Sequence, residues 1–155
     1  EPLIQKEFSR IMSLKNGKNK MSKSDPSDQS RINLRDEKDQ MLNKIKKAKT
    51  DIMPMPIDQK NLSERYEAEN LLGIYSSLKS QNLEKSINEF SGKNFSEFKK
   101  KLSEVVIEKI QPISKEIKKL LDDPGYLDNI LLEGSNKANK IASKKIKEIK
   151  ELVGF

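Results

Sequence analysis

The sequence predicts a mainly α-helical protein in which a loop-rich segment, residues 1–51, leads into a set of amphipathic helices, residues 52–155. Three observations predict it. Beyond residue 56, apolar residues recur at spacings of three and four, with no strand-like alternation. Residues 15–35 are rich in Lys, Ser, Asn, Asp and Gly and follow neither period. Between the two regions, Met53-Pro54-Met55-Pro56 breaks regular structure, because each proline lacks a backbone donor and restricts the residue before it.

The elements follow in order. Residues 1–14 read as a loose amphipathic segment running into a short strand, with Phe8, Ile11, Met12 and Leu14 apolar. Arg31-Ile32-Asn33-Leu34 reads as a short extended piece. Asp36, with Asp39 three residues on, resembles a helix N-cap followed by an acidic first turn. Met41, Leu42, Ile45 and Ala48 then predict a helix over 37–49. The Met-Pro repeat marks the domain boundary. Ala68, Leu71, Leu72, Tyr75 and Leu78 line one face of a helix over 64–80, and Leu83, Ile87 and Phe90 line a shorter one that stops at Gly92.

Phe98, Leu102, Val105, Val106, Ile110, Ile113, Ile117 and Leu120 predict a helix over 96–121, kinked at Pro112 unless that proline opens a new helix. Asp123-Pro124 is an N-cap followed by proline at the first helical position. The last helix carries Leu127, Ile130, Leu131, Ala138, Ile141, Ala142, Ile149 and Leu152. With one apolar side each, these helices are expected to bury it in a small bundle.

Composition narrows the function. The 155 residues carry 31 basic and 24 acidic side chains, a net charge of +7 that suits a polyanionic partner. Because 27 of the basic residues are lysine and only 4 arginine, in a chain rich in Ile and Asn, AT-rich codon usage accounts for the excess equally well. Charge alone does not decide it. Without cysteine no disulfide framework or cysteine metal site exists, which fits a reducing, cytoplasmic setting. Without histidine there is no imidazole base, no histidine metal ligand and no Ser-His-Asp triad. No Walker-type loop and no GxGxxG is present. No run reaches the length of a membrane span, and Glu1-Pro2 begins no signal-peptide pattern.

Phosphate chemistry must therefore come from lysines and backbone amides, and one stretch supplies them. Asn19-Lys20-Met21-Ser22-Lys23-Ser24-Asp25-Pro26 sets two lysines three apart in a loop. Their ammonium groups can meet a triphosphate, with serine hydroxyls and backbone N–H groups adding hydrogen bonds. If pyrophosphate leaves, positive charge there stabilises what develops in the transition state. At this chain's own Lys, Met and Ser frequencies, KMSKS arises by chance roughly two times in a thousand. The competing reading is a solvated loop in a lysine-rich chain.

KMSKS is also the second signature of class I aminoacyl-tRNA synthetases. Arg10-Ile11-Met12-Ser13-Leu14, then five residues, then KMSKSDP, resembles bacterial and organellar tryptophanyl-tRNA synthetases. So do Lys44-Ile45-Lys46-Lys47-Ala48 leading to Thr50-Asp51, Asn70-Leu71-Leu72-Gly73-Ile74-Tyr75, and Glu133-Gly134-Ser135-Asn136-Lys137-Ala138-Asn139. The order and approximate spacing hold from residue 10 to 155, which corresponds to the C-terminal half or less of such an enzyme.

The resemblance implies a fold and a mechanism. Residues 1–51 would be the end of a Rossmann-like nucleotide-binding α/β domain, and residues 52–155 an α-helical domain that recognises the tRNA anticodon. Lys20 and Lys23 would bind the ATP phosphates and stabilise departing pyrophosphate. Met21 would lie against the adenine, Ile11 would meet it through its backbone, and Ser22, with Ser24 beside it, would contact phosphate. Enzymes of this family are homodimers that use Mg2+-bound ATP to adenylate tryptophan and then esterify tRNA(Trp). No metal ligand of the chain's own is expected; the Mg2+ comes with the phosphates.

The family's other signature, HIGH, needs histidines that are absent here, and Glu1-Pro2-Leu3 reads as a start in mid-domain. The expectation is a fragment or one piece of a split chain, inactive in adenylation by itself, with the tryptophan pocket outside it. Smaller candidates have plain readings. Asp25 and Asp28 serve turns or caps rather than a metal. Tyr66, Tyr75, Phe90, Phe95 and Phe98 sit mostly at core spacing rather than stacking on bases. Lys137, Lys140 and Lys144, with Lys145 and Lys147, could track tRNA phosphates or simply form the solvated face of the last helix. Three rivals stand beside the main reading. A tyrosyl-tRNA synthetase shares KMSKS, but its usual small α/β tail has no counterpart strand pattern after residue 56. The others are a helical RNA-binding module without catalysis and a lysine-rich helical scaffold in which the motif is accidental.

Overall fold

The computed structural model describes residues 8–62 and 64–154 and is mainly helical. The helices are α1 (Lys38–Lys47), α2 (Tyr66–Lys79), α3 (Leu83–Phe90), α4 (Phe95–Leu121) and α5 (Pro124–Val153). Two 3-10 turns, Asp28–Ser30 and Lys60–Leu62, punctuate the connections. Among the described residues there is no strand, only one antiparallel bridge between Met12 and Lys20. The first half of the expected amphipathic segment, and the reading placed on Glu1-Pro2-Leu3, lie outside the described residues. No helix among those described is long and apolar enough to cross a membrane.

Two elements depart from the sequence reading in their details. The N-cap of α1 is Glu37, not Asp36: the Glu37 side chain accepts from the backbone of the third helical residue, and Gln40 Oε1 accepts from Glu37 N at 2.8 Å. Asp36 cannot serve as the cap because it is buried and already holds Lys44 Nζ at 2.7 Å and Asn33 N at 2.9 Å. Pro112, expected to kink the helix unless it opened a new one, lies inside a continuous α4 and so opens no new helix. The short strand expected at the end of residues 1–14 is reduced to the single Met12–Lys20 bridge. The apolar side of the last helix, expected to be buried, is not buried. Two local signals are realised as read. Asp123 Oδ1 accepts from Tyr126 N at 3.0 Å ahead of Pro124, and Gly92 takes a left-handed φ of 69° just past α3.

The chain divides into two compact units, Glu1–Ser114 and Lys115–Phe155. In the first, one core draws on Leu14, on Met41 and Ile45 of α1, on Met55, and on the apolar faces of α2, α3 and α4. Residues on both sides of position 52 therefore share it. Met55 is fastened by its backbone, its N–H donating to Lys93 O at 2.8 Å and its carbonyl accepting from Gly92 N at 3.2 Å. At the centre Tyr75, Phe90 and Phe98 meet edge to face, with ring centroids 4.8 to 6.0 Å apart, each pair adding about 1 kcal/mol to simple burial. The second unit has less to bury. No residue of α5 is buried, and Leu131 and Ile141 are 69% and 74% exposed. Its unit offers only residues 115–123 beside it, too little apolar surface to cover thirty helical residues.

Candidate functional site

The site is built on a backbone rail, residues 11–14. Along one edge, Ile11 O accepts from Met21 N at 3.0 Å and Ser13 N donates to Asn19 O at 2.8 Å, which closes residues 12–20 into a hairpin. Gly17 sits in its tip, against α2: a Cβ there would stand 2.6 Å from the Tyr66 carbonyl carbon. The Gly17 N–H also reaches the Glu67 carboxylate, which Lys49 Nζ approaches at 3.1 Å. Burial pushes that carboxyl upward, but these donors outweigh it and hold it below its ordinary range.

Past Lys20 the chain leaves the rail and turns over Ser22 to Asp25, where Asp25 N donates to Ser22 O at 3.3 Å. Ser22 Oγ lies 2.9 Å from Ser24 Oγ and accepts from Ser24 N at 3.3 Å, so the two hydroxyls stand side by side. The far root of the loop is held by cations. Arg31 donates to Asp25 O at 2.9 Å and to Asn33 Oδ1 at 3.0 Å, and its other nitrogen pairs with Asp28 at 3.3 Å. Lys44 of α1 pairs with Asp28 at 2.7 Å, and its hydrogen bond is the main reason the Asp28 carboxyl sits below its ordinary range. Leu14 N donates to Ser30 O at 2.9 Å and ties this root back to the rail.

The lysines of the region divide into two groups. Lys15 Nζ donates to Ser27 Oγ at 3.4 Å, and Lys18 Nζ lies 4.9 Å from the Tyr66 ring centroid, so both engage the protein. The side chains of Lys20 and Lys23 are exposed and have no partner among the described residues. Two ammonium groups and two hydroxyls thus stand on one loop with both roots anchored, a donor set that fits a polyphosphate. The acidic side chains nearby are otherwise engaged: Asp25 Oδ1 accepts from Ser27 N at 2.7 Å, as expected of a turn. Among the described residues no cluster of three acidic or other ligating side chains could hold a metal.

The sequence-predicted residues are brought together in part. Ile11 and Met21 are backbone partners, both half-buried, and Met21 packs against the core. Lys20, Ser22, Lys23 and Ser24 share the loop. Lys137, Lys140 and Lys144 belong to the second unit and are exposed on α5, Lys137 standing 3.9 Å from Glu133. Of the aromatics, Tyr75, Phe90 and Phe98 are core, whereas Tyr66 is 38% exposed. Sequence reasoning missed Lys44 and Asn70. Both are polar residues at positions where helical spacing calls for apolar ones, beside Ile45 and Leu71, and that mismatch was the available signal.

A sequence profile for tRNA synthetases class I (W and Y) matches residues 1–111. The whole chain is 47% identical to tryptophan–tRNA ligase of Agrobacterium fabrum, covering 44% of that protein, and 47% identical to the Rickettsia felis ligase, covering 46%. It spans under half the length of the curated relatives it matches. Tryptophanyl-tRNA synthetase from Campylobacter jejuni, crystallised with ADP and tryptophan, superposes on all of the chain and on 46% of its own length, with a TM-score of 0.73 at 25% identity. The profile covers more than half of the chain and the full-length relatives agree with it, so the chain belongs to the family of class I tRNA synthetases of the W and Y group.

Proposed function

We propose that this chain is the C-terminal portion of a tryptophan–tRNA ligase and supplies the loop that handles the ATP phosphates. Residues 1–51 complete a Rossmann-like nucleotide-binding domain, and residues 52–155 form the helical part that binds tRNA(Trp), with Lys137, Lys140 and Lys144 on the phosphate backbone. The complete enzyme is a cytoplasmic homodimer, and its tryptophan pocket lies outside this chain, which alone does not form the adenylate. The observation that carries this reading is the pair of ammonium groups, Lys20 and Lys23, without partners among the described residues, on a loop whose two roots are both fastened.

In the reaction, the tryptophan carboxylate attacks the α-phosphorus of ATP and the bond to the bridging oxygen breaks, so negative charge accumulates on the leaving pyrophosphate. Lys20 and Lys23 oppose that charge, and the Ser22 and Ser24 hydroxyls donate to phosphate oxygens. Mg2+ enters with the triphosphate and shares the charge neutralisation. Ile11 and Met21 form the adjoining backbone pair on which the adenine rests. A short loop that bears the charge while its roots stay fixed can close over the nucleotide without disturbing the core.

Amino-acid-dependent ATP–pyrophosphate exchange by the complete protein tests the reading, with tryptophan and tyrosine in parallel. Exchange with tryptophan alone supports it. Exchange with tyrosine alone would assign the chain to the other branch of the family. No exchange with either, together with salt-sensitive tRNA binding, would favour a helical RNA-binding module instead.

A further inference from the structure

Asn70 is buried on α2, 7% exposed, and spends its whole carboxamide on one residue far away in sequence. Its Oδ1 accepts from Met12 N at 2.8 Å, and its Nδ2 donates to Met12 O at 2.8 Å. One side chain thereby does what a neighbouring strand would do, satisfying the outer edge of the rail whose inner edge pairs with Asn19 and Met21. The backbone alternates its edges from residue to residue. A slip by one residue would turn Met12's groups toward the loop and leave the Asn70 carboxamide without backbone partners at that edge. A second contact fixes the same register independently: Gly17, at the other end of the hairpin, meets the first turn of α2 with no room for a Cβ.

We propose that Asn70 is a positioning residue for adenylation: it locks residues 11–14 in register on α2, and so sets where Lys20 and Lys23 stand when the loop meets a triphosphate. The inference rests on the reading of the loop given above. An apolar residue at 70 would fill the space, but it would leave both polar groups of Met12 without partners in a half-buried place. The rail would then relax by shifting, and the loop root at Lys20 would shift with it.

The test uses the complete synthetase with Asn70→Leu, which removes both bonds, and Asn70→Asp, which keeps the acceptor and loses the donor. In pyrophosphate exchange both variants are expected to lose between roughly tenfold and a hundredfold in kcat with a raised KM for ATP, since a misplacement of about 1 Å can cost about a hundredfold. The KM for tryptophan is expected to move by less than about twofold. Limited trypsin digestion supplies an arm that does not depend on what the loop binds. Cleavage after Lys20 and Lys23 is expected to rise in the variants, with cleavage after Lys140 unchanged. Equal rises at all three sites would mean general loosening and overturn the proposal, as would unchanged loop cleavage or a matching loss in both KM values. If Lys23→Ala keeps full exchange, the phosphate reading of the loop fails, and the digestion still decides whether Asn70 holds the rail.

Discussion

Lys44 donates its ammonium to Asp36 Oδ2 at 2.7 Å, with only 2% and 6% of the two side chains exposed. The same nitrogen stands 2.7 Å from Asp28 Oδ2, so one cation on α1 fastens the far root of the KMSKS loop and the turn before the helix. Replacing the cation by an apolar group leaves the buried Asp36 carboxyl without its charged partner. Lys44→Met is expected to lower stability by about 3 kcal/mol, the usual cost of breaking a buried pair from one side. Urea unfolding checks it, and adding Asp36→Asn should recover part of the loss. A change within about 0.5 kcal/mol, as for an ordinary surface site, would show that the pair does not hold the turn.

Lys23 is exposed and has no partner among the described residues, so its removal should leave the fold intact. Lys23→Ala in the complete enzyme is expected to slow adenylation by roughly a hundredfold, within the range seen when one donor to developing negative charge is lost. Tryptophan binding, followed by equilibrium titration, should barely change. An equal loss in both would contradict the assigned role.

Gly17 lets the hairpin tip touch backbone. A Cβ at that position would stand 2.6 to 2.7 Å from Tyr66 C, Glu67 N and Tyr66 O, none of which can rotate away. Gly17→Ala is expected to cost about 2 kcal/mol, as overpacking against fixed atoms does. Thermal unfolding measures this; a neutral or stabilising result would mean that the hairpin stands farther from α2 in solution.

Tyr75 carries a pH signature at the alkaline end. Burial, aided by the hydrogen bond from its hydroxyl to Glu89 Oε1 at 2.8 Å, pushes its ionisation up to about 12. The native state therefore keeps a proton that the unfolded chain releases near 10, the ordinary tyrosine value. Its contribution to stability is complete below pH 10 and is lost as the pH rises toward 12. Ultraviolet titration should find one tyrosine ionising late, and Tyr75→Phe should remove that step while leaving the earlier ones.

Much of this protein was legible in its residues. The apolar spacing in Ala68, Leu71, Leu72 and Tyr75 fixes a helix because side chains three and four apart share a face whatever else the chain does. Asp123-Pro124 and Gly92 act within a few residues of themselves and behave as read. The KMSKS loop was visible as a bunching of cations that no regular element could use. Asp36 misled because a carboxylate before a helix looks like a cap until a lysine eight residues on claims it. Pro112 left two readings open, and the continuous α4 removes the one in which it opens a new helix, since a long helix tolerates one missing bond.

By itself, then, the sequence determined the helices, the loop and the family. Only the tertiary structure decided how the loop is held. Met12 and Asn70 are 58 residues apart, and Lys44 reaches back across 16 residues to Asp28. Local spacing carries no record of such pairs, because a buried amide or ammonium acquires its partner only when chain closure brings the two together. Until then water serves it equally well. Desolvation on folding is what makes Asn70 and Lys44 take fixed protein partners, and desolvation is a property of the packed core rather than of any stretch of sequence.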